Sequence, residues 1–238
     1  VCSGEQRISG KEKTLLKIDW ATHEAAKYAC ENWHYSKCLP PSKSVKIGAW
    51  ENNRFIGVVV FGVGATNSLL KPYNLEQNEG CELVRLALTK HETPVSRIMS
   101  IAIRFLKKAN PGLRLIVSFA DPEEGHIGSI YQATNWLYCG RTEDCKYPVV
   151  NGVVTHPRQM SRLVKRDGLK RNSVNYVLKR GKYRYLMPLD KKMSEQIKKI
   201  SEPYPKRASG VEADTSTFQV EEGGASPTDA LQLNNESI

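Results

Sequence analysis

The sequence predicts an α/β fold in which a mixed, mostly antiparallel sheet carries helices on both faces. Two observations lead there. Strand-like runs at Val45–Glu51 and Phe55–Gly62 flank Asn52-Asn53, which is hairpin chemistry, so the first part of the sheet is antiparallel. Between Cys81 and Asn135 a strand, helix, strand, helix succession then implies a right-handed parallel crossover. The chain has 238 residues, 40% hydrophobic and 25% charged, enough for one sizeable domain with its own core.

Taken in order, residues 1–14 are polar and aperiodic and read as a loose leader. The run Asp19–Cys30 begins with an N-cap candidate and continues in helix formers. It stops before the polar, aromatic segment Asn32–Lys37, and Pro40-Pro41 closes it. After the hairpin, Cys81–Leu88 alternates at its start as a third strand. Ser96–Lys108 repeats Ile98, Ile101, Ala102, Phe105 and Leu106 at helical spacing, and Asn110-Pro111-Gly112 ends it. Leu113–Ala120 is a short apolar run, as a buried strand should be, and Gly128–Asn135 reads as a second, shorter helix. Strand candidates beyond Trp136 are Leu137–Arg141, Val149–Val154 and Tyr183–Met187, while Arg158–Lys179 is basic and partly helical. The expected organisation is a leader at 1–14, a domain at 15–190 with a basic segment at 155–190, and a tail at 191–238. From about Ser201 that tail is acidic, rich in Gly, Ser, Thr and Asn, and expected to be mostly disordered.

The net charge of +10 is unevenly placed. Residues 1–154 carry 19 basic and 15 acidic groups, residues 155–200 carry 14 and 3, and residues 201–238 carry 2 and 7. Clustered Lys and Arg suit a polyanion, because they release condensed counterions from its phosphates; a solvated charged face is the other reading. No apolar run approaches the roughly 18 residues of a membrane span, and a cytoplasmic location is expected. Six cysteines at irregular spacing, with no C-x-x-C pair, read as reduced thiols; Cys139 and Cys145 are weak candidates for a metal site.

Five ordered segments carry a family resemblance over roughly residues 30–190. They are Trp33-His34-Tyr35-Ser36, Glu82-Leu83-Val84-Arg85, Ser96-Arg97-Ile98, Ser118-Phe119-Ala120-Asp121, and the run from Gly125-His126 through Tyr131 to Asn135-Trp136. Their order within the helix, hairpin, strand, helix, strand, helix layout resembles the GNAT acyltransferase fold. The set is similar to that of Mom-type phage proteins, which turn adenine in DNA into N6-(carbamoylmethyl)adenine and so shield phage DNA from restriction enzymes. The resemblance implies a DNA-modifying transferase with double-stranded DNA as partner. One departure bears on the donor: the stretch Thr89–Arg97 before the central helix contains no glycine, unlike the loop that holds coenzyme A pyrophosphate in ordinary GNAT enzymes. Coenzyme A therefore fits poorly, and a glycyl ester on transfer RNA becomes the expected donor, its phosphates spread over a large basic surface.

The candidate residues follow from these segments, each with a plainer alternative. His34 and Tyr35, beside Trp33, can hold an extruded base by stacking, or form a helix-end aromatic cluster on the core. Asp121 closes a buried strand at the carboxyl edge of the sheet, where ligands gather, or caps the following turn. In GNAT enzymes a Tyr at the place of Tyr131 protonates the leaving group, and a phenol of pKa about 10 suits that role; otherwise Tyr131 is a core residue. Arg85 within an apolar strand either pairs with an acid such as Glu82 or binds an anionic donor group, and Ser96 and Arg97 can cap the central helix and meet an anion. His126 and Asn135 are weaker substrate-positioning candidates, since each could satisfy backbone at a helix end. No metal is assigned, though His34, Tyr35 and Asp121 could together hold iron for radical chemistry. Two other functions stay open: a GNAT acetyltransferase acting on a protein or small amine, and a basic DNA-binding protein without activity. Whether the chain is a monomer or a homodimer is not determined by these residues.

Overall fold

The computed structural model describes residues 14–206 except 65, 171 and 172. Its strands follow the hydrogen-bonded order β1 (Leu16–Trp20), β2 (Ser44–Glu51), β3 (Arg54–Gly62), β4 (Gly80–Leu88), β5 (Leu115–Ala120), β10 (Tyr183–Pro188), β6 (Leu137–Arg141), with a separate sheet in the order β8 (Val153–Val154), β7 (Cys145–Val150), β9 (Asn175–Lys179). The chain divides into two compact units: residues 14–62 and 84–109 belong to the first, residues 63–83 and 110–206 to the second. Within the main sheet the pairing of β4 with β5 is parallel and every other described pairing is antiparallel, as expected.

The first unit begins with β1 (Leu16–Trp20), an edge strand that the sequence reading left out. It lies antiparallel to β2 (Ser44–Glu51), which turns into β3 (Arg54–Gly62) through Asn52 and Asn53 at φ 50° and 64°. Two successive positive φ angles are what a two-residue hairpin turn needs, and Asn adopts them at low cost. Asp19, expected to open the first helix, lies in β1; the N-cap of α1 (His23–Trp33) is Thr22, whose hydroxyl accepts from the Ala25 amide at 3.1 Å.

Helix α1 buries Ala26, Ala29 and Cys30 against Val58 and Val60 of β3. Small side chains at i, i+3 and i+4 let the helix approach the strand closely. Trp20, Ile47 and Val59 are cross-strand partners and so share the opposite sheet face, where Trp20 meets Phe105 of α2 (Val95–Ala109) edge-on at 4.8 Å. The helices of this unit therefore cover both faces of its strands, as the pattern predicts.

A bulge interrupts the hairpin: Ala49 pairs with Gly57 but Trp50 pairs with Phe55, leaving Ile56 as the extra residue. Gly57 has φ +139°, and a Cβ there would sit 2.0 Å from the carbonyl oxygen of Ala87 in β4 (Gly80–Leu88). Close β3–β4 contact depends on the missing side chain.

In the second unit, Gly80–Glu82 of β4 pair in parallel with Leu115–Val117 of β5 (Leu115–Ala120). Antiparallel to β5 runs β10 (Tyr183–Pro188), followed by β6 (Leu137–Arg141). Their core contains Leu115, Val117, Cys139 and Leu186 with Leu70, Tyr73 and Leu75, and α5 (Lys191–Lys198) adds Met193 and Ile197. The domain thus continues past 190, where the sequence reading placed the start of the tail. Asp190 explains why: one carboxylate oxygen caps α5 at the Met193 amide (2.7 Å) and the other takes Arg114 Nε at 2.8 Å. Residues 201–206 are anchored as well, Glu202 N–H to the Tyr138 carbonyl and the Tyr204 hydroxyl to that of Trp136. The rest of the expected tail, and the expected leader apart from Thr14, lie outside the described residues.

The expected single strand Val149–Val154 is instead a hairpin, β7 (Cys145–Val150) and β8 (Val153–Val154), folded at Asn151-Gly152 with φ 51° and 79°. Asn-Gly is a strong hairpin signal, because both residues adopt positive φ at low cost, and the chain folds back there. The basic segment forms α4 (Pro157–Asp167) and then β9 (Asn175–Lys179), antiparallel to β7. The predicted helix at 128–135 is a single turn, α3 (Ser129–Gln132). No helix among the described residues is long and apolar enough to cross a membrane.

Glu51, only 4% exposed, closes β2 and accepts the amide protons of Glu92 and Thr93 at 2.9 and 2.7 Å, in the loop before α2. Burial pushes its carboxyl upward, but the hydrogen bonds from Thr93 and Glu92 and the nearby His91 outweigh it and hold the group below its ordinary value of 4.5. A carboxyl lowered on folding stabilises the fold above its unfolded pKa, and that gain is lost as pH falls through the folded value. Thermal unfolding of Glu51→Gln against the parent protein should show a deficit of about 1–3 kcal/mol at neutral pH that narrows below about pH 4.5. Gly57→Ala should cost roughly 3 kcal/mol or more, because the obstructing atom belongs to a backbone held in the sheet, and a lowered melting temperature or loss of soluble protein will read it.

Candidate active site

Trp33, the last residue of α1, packs edge-on against Tyr28 at 5.3 Å and beside Phe55 at 5.8 Å. It belongs to the flank of the α1–β3 core, so the structure favours the packing alternative for this residue. His34 follows as the C-cap, 9% exposed, with its ring 4.3 Å from that of Tyr35, which is 48% exposed. The Ser36 amide donates to His34 Nδ1 at 3.1 Å, and the Ser36 hydroxyl lies 2.8 Å from the same atom. A backbone N–H can only donate, so Nδ1 is an acceptor and the proton of the neutral ring sits on Nε2. Ser36 stood in the quoted motif but had no role in the sequence reading; its two-residue offset from a His is the signal that was there.

Arg85, on the same unit, reaches back to this loop. Its Nε donates to the Cys38 carbonyl at 3.1 Å and a terminal nitrogen to the Val84 carbonyl at 2.6 Å. The guanidinium ties β4 to the segment after His34 and Tyr35, a partner the sequence could not supply because 47 residues separate Arg85 from Cys38. Ser96 lies inside the first turn of α2, since the helix starts at Val95, and so does not cap it; the Pro94 carbonyl accepts from Arg97 and Ile98. Arg97 is exposed there.

In the second unit, Asp121 ends β5 and opens a 3-10 turn over Pro122–Glu124. One carboxylate oxygen accepts the Glu123 amide at 3.1 Å and the other meets Lys182 Nζ at 2.7 Å, with the Asp121 side chain 16% exposed. Its backbone carbonyl accepts from Glu124 and His126, so Asp121 and His126 are fixed in one turn. The capping alternative is realised, and the ion pair to Lys182 comes in addition.

Tyr131 sits in α3 against the end of β5. The Ser118 hydroxyl lies 2.9 Å from the Leu83 carbonyl and 2.8 Å from the Tyr131 hydroxyl. Ser118 has one proton and a carbonyl can only accept, so that proton goes to Leu83 and the phenol donates to Ser118. The Tyr131 ring packs with Tyr185 at 5.0 Å and Trp136 at 5.1 Å. Tyr185 is fully buried; its hydroxyl donates to the Ile127 carbonyl at 2.5 Å, and burial pushes its pKa up to about 12. Gly128, at φ +82°, makes room for it: a Cβ there would fall 2.3 Å from the Tyr185 ring. Asn135 is exposed at φ +60°, the left-handed residue that terminates this turn of helix, a backbone role. Ser118, Lys182, Tyr185 and Gln132, whose Nε2 donates to the Tyr185 hydroxyl at 3.2 Å, complete the arrangement and were not singled out by sequence reasoning.

Five described cysteines are free thiols, and burial pushes Cys30 and Cys139 up to about 11 and Cys81 to about 12. Among the described residues no three His, Cys, Asp or Glu side chains are grouped to hold a metal ion.

The Mom protein family profile matches residues 15–206. The methylcarbamoylase Mom of Escherichia phage Mu is 27% identical over 216 residues, covering 85% of this chain and 88% of that protein. Among solved structures, similarity extends to a Bacillus subtilis acetyltransferase in complex with coenzyme A (14% identity, TM-score 0.40, covering 75% of this chain and 100% of that one). It extends also to the aminoglycoside acetyltransferase AAC(6')-Ib with coenzyme A (11% identity, TM-score 0.44, covering 77% and 99%). The family match takes in every strand and helix described above, from the residue before β1 to the last described residue, and on that extent the chain belongs to the Mom protein family.

Proposed function

We propose that this chain is a transferase converting adenine in double-stranded DNA to N6-(carbamoylmethyl)adenine, with glycyl-tRNA as donor, and that the product protects phage DNA from host restriction. The observation that carries the chemistry is the Tyr131–Ser118 hydroxyl pair, a phenol oriented by a second hydroxyl whose own proton is committed to Leu83. The name of the phage Mu relative, a methylcarbamoylase, supports the product class.

Adenine N6 is a weak nucleophile because its lone pair is delocalised into the ring, so the donor must be activated, and a glycyl ester is. N6 attacks the glycyl carbonyl and loses a proton; the ester C–O bond breaks, and the leaving ribose oxygen takes the phenol proton as Tyr131 turns its O–H from Ser118 to that oxygen. The base now carries C(O)–CH₂–NH₂. Its free amine attacks ring C6, closing a five-membered spiro ring, and the C6 bond to the original nitrogen breaks as that nitrogen is protonated. What remains is NH–CH₂–C(O)NH₂, an isomer of the first adduct.

In the second unit Asp121 supplies a carboxylate able to accept the N6 proton. In the first, the Ser36 amide at His34 Nδ1 fixes the imidazole beside the Tyr35 ring. Tyr35, the exposed aromatic of the pair, suits stacking on an extruded base. Arg97 suits a donor phosphate, and Arg85 positions the His34–Cys38 loop. The internal carboxylate of Glu51 already takes two amides of the loop before α2, which supports a donor other than coenzyme A.

Nucleoside mass spectrometry of plasmid DNA co-expressed with the protein should show a mass gain on deoxyadenosine; acetylated protein or polyamine would instead mark an acetyltransferase, and no product a binding protein. With nitrogen-15 at adenine N6, the label is expected in the carboxamide, and its recovery in the secondary amine would overturn the scheme. Tyr131→Phe should lower the single-turnover rate about 10²–10⁴-fold while leaving the melting temperature within a few degrees.

A further inference from the structure

Between β6 and β10 the chain builds the sheet β8-β7-β9 with α4 packed on β7. Helix α4 is two-sided. Met160 is buried, and Leu163 and Val164 beside it are partly buried, whereas Arg162, Lys165 and Arg166 are exposed. Those three cations recur at i, i+3 and i+4, on one stripe opposite the apolar one. In β9, Tyr176, Val177 and Leu178 are 46%, 43% and 61% exposed. Successive strand residues point to opposite faces, so three exposed in a row give this strand exposed apolar surface on both faces. Lys146, the cross-strand partner of Leu178, is exposed on the same face, and exposed Lys170 and Arg180 flank the strand.

Exposed apolar edge strands are aggregation hazards unless something covers them. A second copy would bring like charge against like charge, since residues 155–200 hold 14 basic and 3 acidic groups. A duplex satisfies both chemistries, with phosphates for the cations and base edges and sugars for Tyr176, Val177 and Leu178. The B-form major groove, about 12 Å wide, admits an α-helix or a two-stranded ribbon, whereas the narrow major groove of A-form RNA admits neither.

We propose that the cationic stripe of α4 and the β7–β9 ribbon together form a docking surface for duplex DNA, engaged through its major groove. The choice of DNA rests on the reading of the chain as a DNA-modifying enzyme, but the surface can be tested without the reaction. Binding of a fluorescent 20-base-pair DNA to the full chain is measured across a salt series for Arg162→Gln/Lys165→Gln and for Lys191→Gln/Lys192→Gln, an equal change of charge at two exposed lysines of α5.

The α4 pair is expected to lower affinity at least about tenfold and to reduce the log–log salt slope by about 2, the α5 pair to change neither, with unchanged circular dichroism in both. Tyr176→Ala should weaken binding without altering the slope. Equal effects of the two pairs would overturn the proposal, as would a loss confined to transfer RNA or duplex RNA with DNA binding intact. If the α4 pair weakens DNA binding but the parent protein yields no modified nucleoside, the docking surface stands and the proposed reaction falls.

Discussion

The hydroxyl of Ser118 links the fold to its chemistry. Strands β4 and β5 pair in parallel over Gly80–Glu82 and Leu115–Val117, and the carbonyl of the next residue of β4, Leu83, accepts from the Ser118 hydroxyl. Through that bond the serine hydroxyl satisfies a backbone acceptor within the sheet. The same oxygen then accepts from Tyr131, which fixes the phenol that the proposed chemistry uses as an acid. Gly128 and Tyr185 exist in their present form because the ring behind Tyr131 needs the space that a glycine leaves.

Electrostatic satisfaction recurs as a building rule. Glu51 brings an internal anion to the loop before α2, Asp190 caps α5 while holding Arg114, and Asp121 closes its own turn while meeting Lys182. Each carboxylate serves two partners, at least one of them a backbone amide. Exposed cations line α4 and flank β9, the surface proposed above for DNA.

Much of the fold was legible. The Asn52-Asn53 hairpin, the parallel β4–α2–β5 connection and the period of α2 all follow from local pattern, because turn chemistry and amphipathic spacing act over a few residues. Edge elements were harder: β1 is five residues long and half-polar, and β8 holds two residues, too short for a period to register. Helix α5 was missed because its docking depends on Asp190 meeting Arg114, 76 residues away.

The site divides along the same line. Sequence alone determined the family motifs, the concentration of basic charge, and the residue types able to act as acid, base and stacking partner, because these are properties of composition and short-range order. Only the tertiary structure decided which candidates are committed elsewhere: Trp33 to the core, Asn135 to a left-handed turn, Arg85 to the carbonyls of Cys38 and Val84. It also set the proton on His34 Nε2 and joined Tyr131 to Ser118. Hydrogen-bond direction depends on which groups meet in space, and Arg85 meets the Cys38 carbonyl from 47 residues away while Tyr131 meets Ser118 from 13.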